Sequence, residues 1–343
     1  MKGELERTGT DAFRIEPGAL DLRVAVAGGL ATTAPLAIGV LLGHPLAGVT
    51  AALGGLNVAL AMPDVTNRHR LWWGIVALIG CTVTTALARA VAPVAIVSVA
   101  LTLVWTGGFA LLRAAGKEGA GVGFVLGAMF VILNGLPSQS SVPTLTIQSA
   151  AGGVAGLAIM ILAGLGRGSS RGEPAPTLAG IVRGVGVALR HDATLRTHAL
   201  RVGLATAFAA ALASVLGPSF GYWIPLTVIA VLQPDSHSSR VRLLQRAAGT
   251  VVGVVLVVVV TVLTENPAAL VVLVALFSLA MFALKDRSYF WMVILLTPTA
   301  LLMISSAIVE GPGIAGQRLI NTAIGLAIGL VAMSLPRRGA EPG

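Results

Sequence analysis

The residues best suited to chemistry fall in two stretches of the second half. In the first, Tyr222 and Trp223 open a short apolar run that stops at Gln233, Pro234 and Asp235. The next run then opens on Arg246-x-x-Gly249-Thr250-x-x-Gly253. In the second stretch, Arg318 lies four residues into the last apolar run, beside Gln317 and ahead of Asn321. A guanidinium inside an apolar segment is costly and faces a cavity or a partner. Its planar fork matches a carboxylate. Arg246 and Arg318 are therefore candidate anion ligands, with Gln233 and Asn321 as polar contacts and Tyr222 and Trp223 as an aromatic wall. The competing readings are structural. Interface aromatics commonly anchor a helix in the headgroups, and Arg318 could snorkel toward the outer surface. Asp64 and Asp235 each follow a proline at the inner end of a run. Intramembrane acids mark proton relays, so both are candidates for proton coupling. The alternative is a helix N-cap or a pair with the nearby arginines.

Other chemistries find little support. No glycine-rich phosphate loop with its lysine occurs. The five histidines are scattered, and the single cysteine, Cys81, excludes an intramolecular disulfide and a cysteine metal cage. No metal, no cofactor and no enzymatic activity are expected. Glycines spaced four apart, such as Gly119/Gly123, Gly123/Gly127, Gly249/Gly253 and Gly325/Gly329, suit close helix packing.

The elements that must position these residues are membrane helices. The chain has 343 residues, 56% hydrophobic and 11% charged, with a mean hydropathy of +0.90. A soluble chain carries about a quarter charged residues. The fold class expected is all-α and polytopic, with twelve apolar runs: 24–42, 45–62, 71–91, 94–112, 119–135, 146–165, 200–216, 220–233, 243–263, 267–284, 288–308 and 314–335. Most approach the ~20 residues that a spanning helix needs. The fourth and fifth are the least distinct. From Tyr222 to Gln233 the eighth run has only 12 residues, roughly 18 Å of helix against a ~30 Å core. With Pro225 near its start, it fits the short, interrupted segment that marks transport sites.

Orientation follows from the basic residues. With the N-terminus inside, all of the 23 lysines and arginines except Arg89 and Arg318 fall on the inner side. The net charge of +9 is thus spread through short loops, with no basic face for nucleic acid. The organisation expected is a cytoplasmic tail over 1–22, a six-helix repeat over 23–165, a cytoplasmic linker over 166–199 with a surface-lying amphipathic helix, a second six-helix repeat over 200–335, and a cytoplasmic tail over 336–343. The polar N-terminal stretch is no secretory signal.

The two halves echo each other. Leu22-Arg23-Val24 opens one and Leu200-Arg201-Val202 the other. Met62-Pro63-Asp64 matches Gln233-Pro234-Asp235, and Gln148, Gly152, Gly156 match Asn321, Gly325, Gly329. Six helices is an even number, so the halves would be parallel repeats about an axis along the membrane normal.

At Tyr222-Trp223, Gln233-Pro234-Asp235 and Arg246-x-x-Gly249-Thr250-x-x-Gly253 the sequence resembles the fusaric acid resistance-like (FUSC) family, grouped with aromatic acid exporters and plant malate channels. Arg318, Asn321, Gly325 and Gly329 resemble that family's last-helix pattern. The match covers about 200–335. Residues 22–165 follow as a diverged copy, with Trp72, Trp73 and Gly74 where Arg246 would stand. The resemblance implies efflux of aromatic or other small organic carboxylates across a bacterial inner membrane. Larger members of the family carry substantial cytoplasmic domains. Here only a short linker and tails are expected, which argues against a periplasmic adaptor. The partners expected are a small organic anion, the lipid bilayer and, compatibly, further copies of the chain in a homo-oligomer. A passive organic-anion channel and a non-transporting envelope scaffold are the alternatives.

Overall fold

The computed structural model describes residues 13–17, 20–63, 67–136, 140–165, 176–217, 220–307 and 313–334. Each apolar run becomes one helix. The first half holds α1 (Leu22–Leu41), α2 (Pro45–Ala61), α3 (Asn67–Val91), α4 (Ala95–Ala110), α5 (Gly116–Gly135) and α6 (Val142–Gly164). After α7 (Leu178–His191) come α8 (Ala193–Leu216), α9 (Trp223–Val231), α10 (Ser236–Leu263), α11 (Pro267–Leu284), α12 (Tyr289–Ser305) and α13 (Gly313–Ser334). No strand occurs among the described residues. A 3-10 turn over Leu111–Ala115 separates α4 from α5, and Gly116, at φ +86°, completes the break that the sequence leaves indistinct.

Among the described residues, eight helical stretches are long and apolar enough to cross a membrane, with Ala95–Gly135 counted as one; α2 and α12 are shorter apolar helices. Large apolar side chains such as Ile79, Ile96, Val104, Phe208, Val262 and Leu276 point outward. Water would penalise such a surface, whereas lipid accepts it. The protein is therefore an all-helical, multi-pass membrane protein.

Two boundaries differ from those expected. The linker is shorter than 166–199, because α8 already starts at Ala193. Asp192 caps it, its carboxylate accepting the Leu195 N–H at 2.8 Å. The amphipathic linker helix is α7, capped by Thr177 and basic in its last turn at Arg190 and His191. It packs on the 3-10 turn and on α8. The eighth run yields only nine helical residues, about 14 Å of rise.

In the first half, α6 packs on α1, α2 and α3, and α5 packs on α2, α3 and α4. In the second, α13 packs on α8, α9 and α10, and α12 packs on α10 and α11. The halves meet where α1 lies on α11, α4 on α8, and α5 on α9. Before α1, Phe13 meets Phe290 edge-on at 4.8 Å and the Glu16 N–H donates to the Arg287 carbonyl at 3.0 Å.

Glycine sets the closest approaches. A Cβ at Gly152 of α6 would collide with the Ala51 carbonyl of α2, and one at Gly156 would sit 2.9 Å from Gly55 Cα. Gly107 of α4 and Gly203 of α8 do the same between the halves. Replacing Gly152 by Val should therefore cost at least ~2 kcal/mol, read as a lower unfolding temperature in detergent. Gly121, on α5 with open space around it, provides the control. Gly121→Ala should leave stability unchanged or raise it by up to about 1 kcal/mol.

Asp235 starts α10 as its N-cap, its carboxylate accepting the Ser238 N–H at 2.7 Å. Partial burial pushes its pKa up, but the bonds from the Ser238 backbone and side chain outweigh it and hold the group below the ordinary carboxylate value. A lowered carboxylate pKa stabilises the fold above the unfolded value of about 4 and loses that effect as pH falls through the folded value. Asp235→Ala should cost about 1 kcal/mol at pH 7, and the difference from wild type should shrink below pH ~4. Asp235→Asn, a good cap itself, should be nearly neutral at pH 7.

Candidate functional site

The site begins where α8 stops. Gly217 closes α8 in the left-handed conformation at φ +58°. Phe220 turns the chain at φ +54°, and the Trp223 N–H donates to the Phe220 carbonyl at 3.1 Å. Pro225 suits the first turn of α9 because no N–H is needed there. The aromatics pack inward as a group. The Phe220 and Trp223 rings stack at 5.1 Å with 19° between planes, and Tyr222 meets both edge-on. Tyr222 and Trp223 are only 5% and 2% exposed. They wall the interior, which corrects the reading of them as membrane-interface anchors.

Arg318 does not snorkel. It is 5% exposed, and its guanidinium carbon sits 4.8 Å from the centroid of the Trp223 ring. Asn321, one turn along α13, donates to the Phe220 carbonyl at 3.2 Å and accepts from Gln317 at 3.1 Å. Asn321 thus ties α13 to the turn that carries the aromatics, a bracing contact that its sequence position did not reveal.

Arg246 is also buried, at 3% exposure. Arg246, Tyr222 and Tyr289 all lie within electrostatic reach of Arg318. One turn before Arg246, the Arg242 guanidinium covers the Tyr289 ring at 3.9 Å. Arg246 Nε, Arg318 Nη1 and the Tyr289 hydroxyl are buried with no hydrogen-bond partner among the described residues. No carboxylate pairs with either arginine there. Among the described residues, the interior of the second half thus presents two cations without a carboxylate partner, spare donors and an aromatic wall.

Two threonines stand one turn along the same helices, Thr250 from Arg246 and Thr322 from Arg318. Buried threonines in these helices mostly return their hydroxyl to the carbonyl four residues back, as Thr227, Thr297 and Thr299 do at 2.8–2.9 Å. The Thr250 and Thr322 hydroxyls are buried and make no such bond among the described residues.

The remaining candidates lie elsewhere. Gln233 is half-buried at the inner end of α9. Its side chain accepts from Arg113 at 3.1 Å and its backbone N–H donates to Ser239 at 2.9 Å. Asp235 is exposed and occupied as the cap described above. Neither meets the Arg318 group. Asp64 lies outside the described residues. Arg89 is engaged at the end of α5, donating to the Leu133 and Leu136 carbonyls at 2.9 and 2.8 Å. Sequence reasoning missed three further buried basic side chains, Arg70, His198 and Arg201. The position of His198 inside a helix was hidden by the linker boundary. No group of three metal-ligating side chains occurs among the described residues.

Residues 204–332 match the family described as fusaric acid resistance protein-like. Among curated proteins, the chain is 32% identical over 143 residues to the inner membrane protein YccS of Escherichia coli, covering 42% of this chain and 20% of that one. It is 31% identical over 137 residues to the uncharacterized protein ORF2 of Neisseria gonorrhoeae, covering 40% and 33%. An uncharacterized protein of Haemophilus influenzae matches at 29% over 143 residues, 42% and 20%. The chain thus spans a fifth to a third of the length of these relatives. No solved structure matches. The short α9, its aromatics, and both buried arginines lie inside the matched segment, and over residues 204–332 this multi-pass membrane chain matches the fusaric acid resistance protein-like family.

Proposed function

We propose that the chain is a secondary transporter of the bacterial inner membrane that exports aromatic or other small organic carboxylates. The observation that carries this reading is the pair Arg246 and Arg318, buried without a carboxylate partner among the described residues beside unfilled donors. Such a set lacks negative charge and supplies only hydrogen-bond donors, so an anion completes it. The Trp223 face beneath Arg318 offers contact to a ring on the same solute. The match of residues 204–332 to the fusaric acid resistance protein-like family supports the same solute class.

The architecture we propose is two parallel six-helix repeats, twelve spans in all, with both termini cytoplasmic. The contacts support it. Each second-half contact of α13 and α12 has a first-half counterpart among those of α6 and α5, and exchanging the halves converts α1 on α11 into α8 on α4. A twofold axis along the membrane normal generates that pattern.

Proton coupling through Asp235 gains no support from a capped, exposed carboxylate. Coupling is therefore best read from flux. In proteoliposomes, labelled aromatic acids should exchange by counterflow and accumulate when a pH gradient is imposed. Flux without accumulation would make the protein a passive channel instead. Arg318→Ala should lower flux by on the order of tenfold to a hundredfold while stability stays within about 1 kcal/mol of wild type, because the mutation also removes a buried unpaired charge. A destabilised Arg246→Ala protein, together with no stabilisation of the wild type by any carboxylate, would favour a scaffold.

A further inference from the structure

We propose that the anion path runs inside the second half, between α10, α12 and α13, and that Thr250, Thr322 and Tyr289 line it together with Arg246 and Arg318. This rests on the transport reading and deepens it, since duplicated transporters commonly place their path where the repeats meet.

The first support is spacing. Arg242, Arg246 and Thr250 are four residues apart and share one face of α10. Arg318 and Thr322 share a face of α13 in the same way. α10 packs on both α12 and α13, and Tyr289 opens α12 beneath the Arg242 guanidinium. Along α10 the donors run outward as Arg242, Arg246 and Thr250, and along α13 they run inward as Arg318 and Thr322.

The second support is satisfaction. A buried helical threonine can always bond back to its own helix. Thr250 and Thr322, 0% and 3% exposed, do not among the described residues, as Thr84 and Thr206 also do not, but only Thr250 and Thr322 follow a buried arginine by one turn. The Tyr289 hydroxyl is likewise buried and unfilled. These groups cost free energy unless something else uses them.

The third support is the first half, which carries no guanidinium and no unbonded hydroxyl at the positions matching Arg246, Arg318, Thr250 and Thr322. Aligning Gln148 with Asn321 sets Leu145 against Arg318 and Ser149 against Thr322. Aligning Trp73 with Arg246 sets Ala77 against Thr250. Leu145, Trp73 and Ala77 are buried at 3%, 1% and 0% exposure, and Ser149 is hydrogen-bonded to Thr85 at 3.1 Å. α3 and α6 pack as α10 and α13 do; the matching positions there hold an indole, whose buried N–H has no partner among the described residues, two apolar side chains and a closed hydroxyl pair. One path per chain results, in the second half.

The test uses the full chain in proteoliposomes with labelled benzoate as the probe. Thr250→Val combined with Thr322→Val keeps the shape and removes both hydroxyls, and Tyr289→Phe removes the third. Each should reduce benzoate counterflow and binding by roughly tenfold, with an unchanged or raised unfolding temperature. Thr250→Ser with Thr322→Ser should restore flux, and Trp73→Phe and Thr227→Val should match wild type. Wild-type flux in the hydroxyl-free variants, with Arg318→Ala still inactive, overturns the path and spares the transport reading. An equal loss in Trp73→Phe moves the path out of the second half and overturns it too. No benzoate flux in the wild type removes both.

Discussion

A guanidinium placed inside an apolar helix bundle must be compensated by something. At the centre of a bilayer an arginine costs about 2.5–3.5 kcal/mol on insertion scales, and more by other measures. Here Arg246 and Arg318 are both buried and neither meets a carboxylate among the described residues. The face of Trp223 returns part of the cost to Arg318, about 1–2 kcal/mol for a desolvated cation over an indole. The remainder must come from packing, and the helices that hold the charges are clamped accordingly. Gly325 of α13 brings that helix against the Ile224 carbonyl of α9 at a Cβ distance of 2.7 Å, and Gly253 of α10 brings α10 to within 2.9 Å of the Ile294 carbonyl of α12. Side chains at these positions would push the helices apart. The charges would then meet lipid or water, and the arrangement of donors would be lost.

The shortness of α9 follows from the same constraint. A full-length helix at this position would continue outward and carry its aromatics to the membrane interface. The left-handed turns at Gly217 and Phe220 end α8 and turn the chain inward instead, so that Phe220, Tyr222 and Trp223 stack inside the bundle. Asn321 then holds the Phe220 carbonyl, which fixes the aromatic group to the helix that bears Arg318. A non-glycine residue at positive φ carries strain, and at Phe220 it is offset by burial of the ring and by this one hydrogen bond.

Much of the fold was legible because membrane helices advertise themselves. The twelve apolar runs correspond to twelve helices, since the run length reflects the bilayer and little else. The site was legible in kind and less so in membership. Arg318 and Trp223 were identified by the cost of a charge in a span and by the aromatic pair, and they meet. Gln233 and Asp235 looked equivalent to them in sequence, yet they sit at the inner end as a partner for Arg113 and as a helix cap. A proline followed by an acid reads the same way for a cap as for a proton carrier, and only depth separates them. Tyr289 and Thr322 carried no signal of their own. Their importance depends on hydroxyls that fail to bond back, a property of rotamer and neighbour that no spacing encodes.

The difference between the halves bears on how such a protein works. The contacts of α6 recur in those of α13, and those of α5 with α3 and α4 recur in those of α12, so backbone packing there would give two similar interiors. They are unequal because Trp73 and Leu145 fill, at 1% and 3% exposure, what Arg246 and Arg318 leave polar. Close-packed side chains such as Trp73 and Leu145 resist displacement, since the voids left behind cost kilocalories. On the transport reading proposed above, a half with a nine-residue helix, buried arginines and spare hydroxyls would gain interactions when an anion enters. Ligand-driven rearrangement would then be borne by α9, α10 and α13. The first half, joined to it through α1 on α11 and α4 on α8, would supply the frame against which those helices move.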